Sequence, residues 1–152
     1  MSYMPQLEVI IQDEFLKISW DEQIKLIYLE WLQHPISEAF RPRLQKAAEL
    51  AKEKQCHYWL SDSQAVHYLE FADQNWLAYE IGYMLYNSDM KRLARITTIE
   101  SFSLVDINRV FNYVRNNCLG SAKVEFDEFL DKQEAFNWIL SDVDQLAVTI
   151  KR

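Results

Sequence analysis

Residues 24–31 read Ile-Lys-Leu-Ile-Tyr-Leu-Glu-Trp. In an extended chain this run places Ile24, Leu26, Tyr28 and Glu30 on one face and Lys25, Ile27, Leu29 and Trp31 on the other. Just upstream, Phe15, Ile18 and Trp20 form a second apolar run, and Asp21-Glu22-Gln23 separates the two. Two β-rich runs around a short polar break read as an antiparallel hairpin. The turn holds neither Asn-Gly nor Asp-Gly, so its type stays open. Leu7 to Ile11 either extends or precedes the first strand.

Beyond the hairpin the periodicity changes. Phe40, Leu44, Ala47, Ala48 and Ala51 recur at helical spacing behind Ser37, a residue suited to capping, which predicts a helix over 38–54. His57 to Leu60 is a short apolar strand, closed by the polar break Ser61-Asp62-Ser63-Gln64. A second helix is predicted from an Asp73 cap to about Tyr86, followed by a strand over Leu93–Thr98. Ser103, with Asp106 behind it, reads as the cap of a third helix carrying Ile107, Val110, Phe111 and Val114. Ala122 to Phe126 reads as a strand, and Asp131 with Glu134 opens a fourth helix bearing Ala135, Trp138 and Ile139. Leu146 to Ile150 reads as a terminal strand or docked tail.

The expected fold is therefore α/β: a mixed sheet of about five strands, an antiparallel hairpin followed by parallel crossovers, with four helices. Residues 1–152 are expected to form one domain with its core over about 13–140, leaving 142–152 as the tail or strand. Phe40, Leu44, Ile81, Leu93, Ile96, Ile107, Val110 and Val124 are the expected core.

Composition narrows the function classes. The 152 residues are 49% hydrophobic and 26% charged, which is globular rather than disordered. Lys and Arg number 16 against 23 Asp and Glu, a net charge of −7. That balance lacks the footprint of general nucleic-acid binding and disfavours anionic membrane surfaces. Two basic groups, Arg41, Arg43 and Lys46 and then Lys91, Arg92 and Arg95, read as solvated surface. With only 2 glycines, neither a phosphate loop nor a dinucleotide fingerprint is present, and no cofactor is expected. His34, His57 and His67 have no metal-ligand spacing, and Cys56 and Cys118, at predicted strand entrances, form no Cys-x-x-Cys unit. Both thiols are expected to be reduced, with no metal bound. Asp62, Ser63 and His67 invite comparison with a catalytic triad, but no nucleophile elbow accompanies them. Glu70 and Asp73 read as loop and cap carboxylates. The chain is thus expected not to be an enzyme. No basic leader and no apolar run near ~18 residues is seen, so a cytoplasmic location without a membrane span is expected.

Several short segments carry a resemblance. They are Leu29-Glu30-Trp31, Trp59-Leu60-Ser61-Asp62, Arg92-Leu93-Ala94-Arg95-Ile96, and Glu125-Phe126-Asp127 ahead of Glu134-Ala135-Phe136-Asn137-Trp138-Ile139. With the order of elements, they make the chain resemble STAS-like domains, typified by bacterial anti-sigma factor antagonists. The likeness is nearest to a divergent SpoIIAA-like branch of uncharacterised bacterial proteins. The resemblance implies a non-enzymatic regulatory or protein-interaction module. It also offers Ser63 as a regulatory serine, since antagonists carry Asp-Ser-Ser-Gly at the corresponding place. Here Gln64 and Ala65 replace the second serine and the glycine.

The second predicted helix has two apolar faces. Trp76, Tyr79, Tyr83 and Tyr86 form one stripe, and Leu77, Ile81, Met84 and Leu85 form another on roughly the opposite side. One face suffices to pack on a sheet, so the aromatic stripe is covered by the chain's own segments or serves a contact. Gly82 beside it permits close approach of another backbone. The expected occupant is a protein partner, a second copy of the chain included. The alternative is a small apolar or lipid-like ligand held beneath the helix.

Overall fold

The computed structural model describes residues 3–104 and 106–151, with the side chains of 103, 104 and 145–151 outside the description. Three strands come first, β1 (Glu8–Gln12), β2 (Leu16–Asp21) and β3 (Leu26–Trp31). They are followed by α1 (Ser37–Glu53), β4 (Tyr58–Asp62), α2 (Phe71–Leu85) and β5 (Arg92–Ile96). Then come α3 (Ile99–Leu104), α4 (Ile107–Asn117), β6 (Glu125–Phe129) and α5 (Lys132–Lys151). The six strands lie in one sheet in chain order, β1 to β6. The first two pairings are antiparallel and the last three parallel.

The alternation of residues 24–31 explains the layering. Ile27, Leu29 and Trp31 point into a core closed by Phe40 and Leu44 of α1, Leu77 and Ile81 of α2, and Ile107 and Val110 of α4. Ile24, Leu26 and Tyr28 point into a second core closed by Ala135 and Ile139 of α5. The crossover helices α1, α2 and α4 thus cover one face of the sheet, and α5 covers the other. All eight expected core residues are buried. The hairpin turn is organised by Asp21, whose buried carboxylate accepts from the N–H groups of Gln23 (2.9 Å) and Ile24 (3.3 Å). Lys25 then takes a left-handed φ of 59°.

Several boundaries depart from expectation. The sheet has six strands, because Glu8–Gln12 is a strand of its own, paired with β2 through an irregular register at Val9 and Ile11. The described residues form five helices, the short α3 being the addition. Leu146–Ile150 is neither strand nor tail but continues α5, because Ala135, Ile139 and Val143 carry a four-residue period into it. The last strand falls at Glu125–Phe129 instead of Ala122–Phe126, in register so that Phe126 pairs with Leu93 and Glu128 with Arg95. Ser103 lies within α3, and α4 is capped by Asp106, whose carboxylate accepts from the Arg109 N–H at 3.1 Å.

The expected caps Ser37 and Asp73 lie inside their helices and bind each other. The Ser37 hydroxyl donates to the Asp73 carboxylate at 2.5 Å, and Arg41 Nε donates to its other oxygen at 2.7 Å. The N-cap positions belong to Ile36 and Glu70, neither of which caps through its side chain. Two polar residues that each could have closed a helix end instead tie α1 to α2, around a buried carboxylate in the first turn of α2.

Candidate functional site on the outer face of α2 and α4

The two stripes of α2 have separate fates. Leu77, Ile81, Met84 and Leu85 are buried. On the opposite side Tyr79 and Tyr83 are each 66% exposed and Tyr86 61% exposed. No described segment of the chain covers them. Trp76 parts from the other three, half-buried edge-on against Phe40 at 6.1 Å and under the Arg41 guanidinium. Gly82 is buried and is approached by a side chain of its own chain: a Cβ there would lie 2.8 Å from Cys118 Sγ. That closeness lets α2 and α4 pack together.

Sequence reasoning missed two members of this face, Phe71 (67% exposed) and Tyr113 (42% exposed). Tyr113 of α4 meets Tyr79 edge-on with ring centroids 6.1 Å apart. Its signal was available in the α4 periodicity, since Tyr113 falls outside the buried set Ile107, Val110, Phe111 and Val114. Between the two helices lies an open hollow of about 290 Å³ bounded by Asn75, Ala78, Tyr79, Arg109, Val110 and Tyr113. Cations border the aromatic rings. Arg109 lies over Phe71 at 4.4 Å and Lys52 over Tyr83 at 3.5 Å. Such contacts hold a cation in place while leaving its charge available.

A second polar feature lies inside the molecule, at the carboxyl ends of the parallel strands. Ser61 of β4 pairs across the sheet with Arg95 of β5, and Arg95 with Glu128 of β6. Arg95 is only 6% exposed. The expectation of solvated surface fails for it because β5 lies between two parallel strands and is covered on both faces. Arg95 Nη1 donates to Glu128, while among the described residues nothing accepts from Nη2. Burial pushes the Glu128 carboxyl up and the Arg95 guanidinium down, and their mutual attraction pulls each back. Ser63 is 6% exposed, with its oxygen 3.0 Å from that of Ser61. Its hydroxyl is therefore turned inward. Ser61, Ser63 and Arg95 line a cavity of about 40 Å³ whose walls include Trp31, Phe40 and Trp59. A cavity that takes benzene measures ~150 Å³. The space beneath α2 is thus small for a lipid-like guest.

The triad residues do not converge. The His67 ring stacks on His34 at 5.4 Å and its backbone N–H donates to His34 Nδ1 at 3.1 Å, while Ser63 faces Ser61. Among the described residues no group of three or more His, Cys, Asp or Glu side chains is arranged to hold a metal ion. Cys56 is buried, and burial raises its thiol to about 11. No helix of the described residues is long and apolar enough to cross a membrane.

Burial lowers the His34 pKa, and the neighbouring His67 lowers it further. Burial likewise lowers His57, assisted by Lys91 and Lys25 and opposed by Asp89 and Asp142. The unfolded chain therefore takes up protons at these histidines near pH ~6.5, before the folded chain does. Their contribution to stability is complete above that pH and declines as pH falls through it. Glu80 and Glu128, raised by burial, act in the opposite sense. Urea unfolding of wild type and His34→Gln between mildly alkaline and mildly acidic pH isolates the histidine. The variant is expected to lose less stability on acidification, and equal losses would refute the assignment.

No protein-family model and no curated protein matches the chain. It is similar to two solved structures. One is an anti-sigma factor antagonist from Mycobacterium paratuberculosis, at 11% identity and a TM-score of 0.48, over 91% of this chain and 97% of that one. The other is an uncharacterised protein of the DUF3478 family with a SpoIIAA-like fold from Shewanella loihica, at 15% identity and a TM-score of 0.48, over 88% of this chain and 91% of that one. The functional reading rests on the geometry of the chain itself.

Proposed function

We propose that this chain is a non-enzymatic protein-interaction module whose contact surface is the outer face of α2 and α4. The observation that supports this reading is the row of exposed aromatic side chains, Phe71, Tyr79, Tyr83, Tyr86 and Tyr113, on two adjacent helices. Large exposed apolar patches on a folded chain mark contact sites, and tyrosine supplies wide contact area with a polar tip. A regulatory role in bacteria is what the resemblance to STAS-like domains implies. Ser63 is then a regulatory position only in a conformation that turns its hydroxyl outward.

Replacing Tyr79 by a photo-crosslinking benzoylphenylalanine in cells tests the surface. A discrete protein adduct is expected from this position and not from exposed Gln45 on α1. Tyr83→Glu places a charge in the centre of the contact. It is expected to weaken association by about 2 kcal/mol or more. The thermal midpoint should shift little, because Tyr83 is exposed. A lowered midpoint with an unchanged adduct would overturn the proposal.

A further inference from the structure

The partner class can be read from charge. Residues 107–124, which make α4 and the loop behind it, carry Arg109, Arg115 and Lys123 and no acidic residue, within a chain of net charge −7. By contrast, residues 125–144 carry seven acidic residues against Lys132. Six of these belong to β6 and to α5, which covers the other face of the sheet, and Asp131 lies between the two. Of the cations in residues 107–124, Arg109 lies on the face that exposes the aromatic rings, over Phe71, while Arg115 lies over Phe126 of β6.

The manner in which these cations are held matters more than their number. Arg109 Nη1 donates to Asn75 Oδ1 at 2.9 Å and Nη2 to Gln74 Oε1 at 3.1 Å, with the guanidinium over the Phe71 ring. Arg115 donates to Asn112 Oδ1 at 2.7 Å. Amide oxygens and rings orient these groups without neutralising them, and a guanidinium stays charged throughout the physiological range. Among the described residues no carboxylate forms an ion pair with Arg109; Asp106 accepts from the α4 backbone, and Glu80 stands near Glu49 of α1. Arg109 also forms one wall of the hollow whose other sides are Tyr79, Tyr113, Val110 and Ala78.

Resting on the reading of this face as a protein contact, we infer that it takes an acidic, amphipathic segment of a partner protein, with one apolar side chain between Tyr79 and Tyr113 and a carboxylate against Arg109. Such a segment meets aromatic area and unneutralised positive charge at one place, on a molecule whose net charge repels it elsewhere. A nucleic-acid strand needs a continuous track of phosphate contacts, which so few dispersed cations on an acidic chain do not provide.

The test is selection of short random peptides displayed on phage against the folded full chain, followed by fluorescence anisotropy with the recovered peptides. Enrichment of Asp and Glu around an aromatic or aliphatic residue is expected. Binding should weaken about tenfold or more in Arg109→Gln and on raising salt from about 0.05 to 0.3 M. Tyr113→Glu, at an exposed position on the wall of the hollow, should weaken it several-fold and serves if Arg109→Gln disturbs the fold. Peptides that bind, and lose binding in Tyr83→Glu, yet show no acidic enrichment would overturn the inference and leave the contact face standing. No binders, or binders indifferent to Tyr83→Glu and Tyr79→Ala, would overturn both. Tighter binding of a single-stranded oligothymidine probe that Arg109→Gln abolishes would make the occupant nucleic acid and refute the inference. Sedimentation showing a dimer that Arg109→Glu dissociates would do the same in favour of a second copy.

Discussion

Arg95→Ala is expected to lower the free energy of unfolding by about 3–5 kcal/mol, measured by urea denaturation. Arg95 and Glu128 are both almost wholly buried and joined side chain to side chain. Removing the guanidinium strands a carboxylate whose hydration was given up on folding, next to Asp127 and Asp106. It also enlarges the cavity that Arg95 lines. Replacing both partners by apolar residues of similar shape removes the stranded charge. Arg95→Met with Glu128→Leu is therefore expected to recover most of the loss. A double variant as unstable as the single would show that the pair does not carry the effect. Because the pair lies inside the sheet–helix layer, neither variant should alter adduct formation at Tyr79 in the fraction that remains folded.

Ile139→Asp should cost about 4 kcal/mol or more, enough to unfold many domains at ambient temperature. Ile139 is fully buried, and with Ala135 it closes the core that holds Leu26, Tyr28, Leu60, Ala94 and Ile96. Among the described residues this core surrounds it with apolar side chains and the rings of Tyr28 and Tyr58, so a carboxylate there gives up its hydration. Ile139→Val, which removes one methylene, should cost only about 0.5–1.5 kcal/mol. Similar small losses from both substitutions would mean that α5 is not seated on the sheet as described. Docking of the helix is also marked by the Tyr58 hydroxyl, which donates to Asp142 at 2.5 Å, and by Arg92, which donates to the Trp138 carbonyl.

The hairpin was legible because alternation at residues 24–31 admits one period, and the crossover helices because their apolar positions recur at three and four. What escaped the sequence was whatever depends on long-range pairing. Ser37 and Asp73 have the chemistry of caps, and only the approach of α1 to α2 turns them toward each other. Arg95 reads as surface until its strand is placed third from one edge of the parallel region, flanked on both sides. Leu146–Ile150 has the β-branched look of a strand, and the helical period inherited from Ile139 and Val143 outweighs that local preference. Of the candidate site, Tyr79, Tyr83 and Tyr86 were visible as a stripe on one helix. Tyr113 and Phe71 join them only once α4 lies beside α2, and Trp76 leaves them because Phe40 draws it inward.

The strand order, which simply follows the chain, has a consequence for how the molecule comes into being. Each new strand adds beside the one made immediately before it. A polypeptide emerging from a ribosome can therefore assemble this sheet progressively, with no early strand waiting for a distant late one. The exception is the layer behind the sheet. Leu26, Tyr28, Leu60, Ala94 and Ile96 are all in place before the one helix that shields them has been synthesised. During that interval the nascent molecule presents a broad greasy surface, which is open to aggregation until α5 folds over it.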